Sequence, residues 1–143
     1  MIPRFQKVRY ADLSARQKEN FNFQKISAVL ADYGFATIRL SDDWNGADFL
    51  ALHKSGETLK VQLKGRLTIC SKYSGKELWV AAPHTGGWFF YPHDEAIPVI
   101  EAASPFLSSQ SWQQNGLYTW HTPSKSLLQA LAPYYIKGDA SAG

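Results

Sequence analysis

Cysteine is nearly missing from this chain. Cys70 is alone among 143 residues, which excludes an intramolecular disulfide and fits a reducing compartment. Long apolar runs are missing as well. No stretch approaches the ~20 apolar residues of a membrane span, and residues 1–10 lack the apolar centre of a signal peptide. A soluble, cytoplasmic protein is the expectation. There is no internal repeat, heptad run, glycine-rich phosphate loop or Gly-x-Ser-x-Gly elbow. His84, His93 and Asp94 fit no zinc spacing and read as loop and capping residues. The formal charge is only +3, so any surface for a polyanion must be a local concentration of basic residues.

What is present is core-forming material. Apolar residues make up 45% of the chain and aromatics 14%, which excludes intrinsic disorder and supports one packed domain, expected over residues 1–137. The small, polar tail 138–143 is expected to be disordered. Ser14 and Gln17 have capping-box spacing, so a helix is predicted from about 12–14 to 33, with Gly34 just past its end. Phe23, Ile26, Leu30 and Tyr33 recur at helical spacing and form its core stripe. Glu19 falls on that stripe, where a carboxylate needs a partner or a cation. The alternative is a solvated Glu19 on an overhanging first turn, with Gln24 in reserve. Strands are predicted at 35–40, 78–82, 88–91 and 117–121, and helices at 94–103, capped by Asp94, and 123–133.

The most informative stretch is 46–66. Two alternating runs, 47–53 and 58–64, flank Ser55-Gly56-Glu57 and predict a β-hairpin. In a strand, residues two apart share a face. Gln62 and Lys64 therefore lie together, and an antiparallel partner can bring Asp48 to them. A carboxylate, an amide oxygen and a backbone carbonyl suit a hard cation such as Mg²⁺, and a neighbouring lysine can orient an attacking water. Lys60, Lys64, Arg66, Lys72 and Lys76 make the densest basic stretch of the chain, suited to phosphates.

Gly46-Ala47-Asp48 followed by Val61-Gln62-Leu63-Lys64 resembles the signature of the PD-(D/E)XK, or restriction-endonuclease-like, nuclease superfamily. The likeness is legible over roughly residues 12–95. Ala47 stands where the family often has Pro, and Gln62 where an acid is usual, which removes one negative charge from the metal site. The resemblance implies an α/β fold with a central mixed sheet of about four to five strands flanked by helices. It also implies a metal-dependent DNA endonuclease using Mg²⁺, with Mn²⁺ able to substitute, and acting as a homodimer. Asp48, Gln62, the Leu63 carbonyl and a helix acid, here Glu19, would hold the metal. Lys64 would act on the water, and Lys60, Arg66, Lys72 and Lys76 would hold DNA. One alternative is a non-catalytic nucleic-acid-binding module on the same scaffold. Another is a structural domain in which Asp48 and Lys64 merely pair with each other.

Overall fold

The computed structural model describes residues 4–138. A helix α1 (Ala15–Ala31) precedes three antiparallel strands, β1 (Phe35–Trp44), β2 (Ala47–His53) and β3 (Thr58–Leu63). The chain then crosses over through β4 (Thr68–Cys70) and a 3-10 turn at Ser71–Tyr73. It returns as β5 (Leu78–His84), parallel to β3, and turns back as β6 (Gly87–Pro92). Helices α2 (His93–Ala103) and α3 (Gln110–Asn115), strand β7 (Leu117–Thr119), helix α4 (Lys125–Ala130) and strand β8 (Tyr135–Lys137) complete it. The main sheet is mixed and six-stranded, in the order β1-β2-β3-β5-β6-β8, and β4 pairs with β7 in a small second sheet. This is the expected α/β architecture with one strand more than four to five.

The period-2 pattern decides which layer each side chain joins. Ala81, Trp88 and Phe90 point to α1, where they pack with Ile26, Leu30, Phe49 and Val61. Val80, Phe89 and Tyr91 point the other way, into a core shared with Ile100, Phe106, Trp120 and Leu127. Each layer buries a continuous apolar surface, the dominant favourable term in folding.

Local chemistry explains the elements that position the site. Ser14 caps α1: its hydroxyl accepts from Gln17 N at 3.2 Å while the Gln17 side chain accepts from Ser14 N at 2.8 Å. Strand β1 runs four residues further than expected, and the polar segment shrinks to Asn45-Gly46. Both of these residues have positive φ, 53° and 86°, as a two-residue hairpin turn demands. A Cβ on Gly46 would also stand 2.7 Å from Leu78 Cδ1, so only glycine fits.

Several expectations are corrected. Tyr33 leaves the core and is exposed, because the helix ends before it; Val29 takes its place in the stripe. Asp94 is not the cap of α2, which starts one residue earlier after Pro92; its carboxylate instead accepts from Gly75 N at 2.8 Å. After Lys64, β4 pairs with β7, and Arg66, Lys72 and Lys76 stand exposed on either side of it. Helix α3 is an element the sequence did not predict, and the last helix is shorter than 123–133, starting after its cap Ser124. Gly138 N donates to Gly86 O at 3.0 Å, and the remaining tail residues lie outside those described.

Candidate active site

The hairpin register pairs Phe49 with Val61 and Leu50 with Lys60, which sets Asp48 opposite Gln62 at the end of β3. Asp48 Oδ2 accepts from Leu63 N at 2.8 Å and from Gln62 Nε2 at 2.9 Å. Gln62 Nε2 also stands 3.4 Å from Leu63 O. The carboxylate is half-buried. That burial raises its pKa above the ordinary carboxylate range, and the nearby negative charges of Glu19 and Asp43 push the same way. The Leu63 N–H bond and the charge of Lys64 oppose the rise.

Lys64 does not close on Asp48; among the described residues no ion pair joins them. Its ammonium rests over the ring of Tyr73, 5.3 Å from the centroid, and Lys72 stands 5.5 Å from the same ring. Burial pushes the Tyr73 phenol up to about 12, so the ring between the two lysines stays neutral at physiological pH. The reading in which Asp48 and Lys64 exist to neutralise each other is therefore not what the chain builds.

Glu19 is exposed rather than inward-facing. The first turns of α1 overhang the sheet end, and Glu19 Oε1 takes a bond from Arg39 Nη2 at 3.3 Å while Arg39 also donates to Asn20 Oδ1. It nonetheless lines both cavities that open on Asp48. The first, about 430 Å³, is lined by Tyr10, Lys18, Glu19, Asp48, Gln62 and Lys64 among others. The second, about 750 Å³, adds Arg16, Arg39, Asp42 and Asp43. Gln24 is exposed and lines neither.

The structure thus gathers Asp48, Gln62, Leu63, Lys64 and Glu19 around one end of the hairpin. The basic residues divide. Lys72 shares Tyr73 with Lys64, Arg66 turns to His121 in a separate cavity, and Lys60 and Lys76 line none of the three. Sequence reasoning missed Tyr10, Lys18 and Asn22, which line the smaller cavity. The neighbour of Glu19 on the first turns of the helix gave some signal for Lys18; nothing local marked Tyr10. It also missed the purpose of His93, which is wholly buried and accepts from Cys70 N at its Nε2, 3.1 Å. Its Nδ1 therefore carries the proton and donates to Asp94 Oδ1 at 2.9 Å. This ties the crossover to the start of α2. Among the described residues no three of His, Cys, Asp or Glu form a group able to hold a metal by themselves.

No protein-family model matches the chain, and no curated protein matches it. Among solved structures it is similar to a bacterial homing endonuclease, I-Ssp6803I, with a TM-score of 0.50 and 15% identity over 85% of this chain and 86% of that one. The likeness is one of fold: an α/β architecture with helices on a central mixed sheet.

Proposed function

We propose that this protein is a metal-dependent DNA endonuclease of the PD-(D/E)XK kind, hydrolysing phosphodiester bonds with Mg²⁺, for which Mn²⁺ can substitute. One observation carries the reading. The half-buried Asp48 carboxylate, the Gln62 amide and the Leu63 carbonyl meet at the end of β3, with Lys64 beside them and unpaired to Asp48. The donor set fits a hard cation. Neighbouring oxygens around Mg²⁺ at ~2.1 Å stand about 3 Å apart, and the Gln62 amide end lies 2.9 Å from Asp48 Oδ2 and 3.4 Å from Leu63 O. A half-turn of that amide presents Oε1 in place of Nε2. Asp48, Gln62 and Leu63 would hold the ion, and Glu19 would join them on release from Arg39.

When bound, the ion supplies charge stabilisation at the phosphate and an acidified water. The chain's own residues do the remaining work. Leu63 N–H fixes the rotamer of Asp48. Lys64, propped on Tyr73, keeps its full charge for the phosphate and the incoming water. Lys72 extends the positive edge along the strand, and Lys60, Arg66 and Lys76 add sequence-independent affinity. Two copies, one per strand, would complete a double-strand break.

The test is nicking of supercoiled plasmid with Mg²⁺ or Mn²⁺. Wild type should nick. Lys64→Ala should lose about 10²–10³-fold, the cost of removing one charge-stabilising group, and Asp48→Ala at least as much. A wild type that neither nicks nor binds Mn²⁺ by calorimetry overturns the enzyme. The second reading, a DNA-binding module without catalysis, then leads; it is favoured by Gln62 standing where the resemblance expects an acid.

A further inference from the structure

On the far side of Gly65 from Asp48 lies a cavity of about 570 Å³, within the ~300–1,000 Å³ range of small-ligand sites. Three links converge on it: the start of the crossover, the β5–β6 turn and the segment entering α4. They contribute Arg66, His84, Thr85, Trp120, His121 and Thr122. Strands β3 and β5, the parallel pair of the main sheet, both end here, at Leu63 and His84. Carboxyl ends of parallel strands are where open α/β sheets hold ligands.

The chemistry of the lining selects an anion. None of the lining residues is acidic, whereas Glu19, Asp42, Asp43 and Asp48 line the neighbouring trough. Arg66 and His121 face one another in the lining, a guanidinium beside an imidazole. The His84 ring is fixed between Phe89 and Tyr135, at centroid distances of 5.2 and 6.5 Å. Trp120 and Phe89 give the cavity an aromatic wall. Guanidinium, imidazoles and hydroxyls beside aromatic surface are the elements of a phosphate-plus-ring site.

We propose that this cavity binds a nucleotide phosphate, the phosphate of a strand one or two nucleotides along from the Asp48 site. Lys64 and Arg66 are separated by at most ~7 Å of chain, which is the scale of that step at 3.4 Å per nucleotide of a strand. The placement along a strand rests on the nuclease reading; the affinity for phosphate does not.

The test follows the ring resonances of His53, His84, His93 and His121 by NMR, without metal. Inorganic phosphate, then a 5′-phosphorylated dinucleotide, then a single-stranded oligonucleotide are titrated in. Shifts should be confined to His84 and His121, the dinucleotide should bind more tightly than phosphate, and the oligonucleotide should displace both. Arg66→Gln combined with Thr122→Val, both at exposed positions, should weaken dinucleotide binding by about tenfold. Lys54→Gln on the hairpin turn should leave it unchanged. Equal shifts at all four histidines, no shift, or full binding by the Arg66/Thr122 variant overturns the site. Binding of phosphate without competition by the oligonucleotide overturns its place on a strand. A protein that binds here yet never nicks keeps the site and loses the nuclease.

Discussion

Two cavities near one end of the β2–β3 hairpin are opposite in character. The trough on the Asp48 side gathers four carboxylates beside two arginines, and the cavity beyond Gly65 has arginine and histidine with no carboxylate. The smaller cavity that opens on Asp48 has Lys64 and Gly65 in its lining, and Gly65 lines the basic cavity as well. A surface of uniform charge would attract DNA or a cation, not both. Splitting the signs across one strand end lets a single short segment face a cation on one side and a phosphate on the other, each in a field that favours it. Net charge, only +3, conceals this arrangement completely.

The sharpest way to strengthen the contrast is Gln62→Glu. A second carboxylate beside Asp48 should tighten Mn²⁺ by about tenfold, since affinity for hard cations follows ligand charge. The same change sets two like charges together and should lower the melting temperature of the metal-free protein. Calorimetric titration and thermal denaturation read the two effects, and Mn²⁺ affinity that fails to rise would remove Gln62 from the ligand set.

A smaller effect follows from pH. Burial holds the Asp48 pKa above its unfolded value, so the native state keeps this proton to higher pH than the unfolded chain does. The associated stability is present below the unfolded carboxyl range and is lost as pH rises through the folded pKa. Asp48→Asn should therefore melt no lower than wild type at pH 7, while Mn²⁺ binding by wild type should weaken on acidification sooner than an ordinary carboxylate of pKa about 3.9 would allow. A variant that melts well below wild type at neutral pH would contradict the burial argument.

The smallest expected effect blurs the contrast from its edge. Arg39→Ala removes an exposed partner of Glu19 and should change stability by less than about 1 kcal/mol. It should also raise Mn²⁺ affinity two- to threefold as Glu19 becomes free to turn toward Asp48, an increment on the scale of one exposed ion pair. Unchanged affinity would leave Glu19 outside the site.

The parts of this molecule that were legible in the sequence are those fixed by near neighbours. The Ser14–Gln17 box sets the start of α1, and strand alternation with a tight turn sets the β2–β3 register. That register alone brings Asp48 to Gln62 and Leu63. The illegible parts depend on partners far along the chain. Strands β4 and β8 are three residues each, too short to carry a period, and exist because something distant pairs with them. The sequence left Glu19 open between an inward and a solvated position, because helical phase says nothing of where a helix overhangs its sheet. Tyr73 and His121 gave no signal, since the rings matter only through Lys64 and Arg66.

Chain separation also decides how the two cavities come into being. Asp48 and Leu63 are 15 residues apart and meet within one hairpin, whereas Arg66 and His121 are 55 apart and meet only after β5, β6 and α2 have docked. Closing the longer loop costs about 1 kcal/mol more in chain entropy, and contacts of such range form late in folding. The carboxylate half is thus a local product of the hairpin. The basic half exists only once segments 55 residues apart have been brought together.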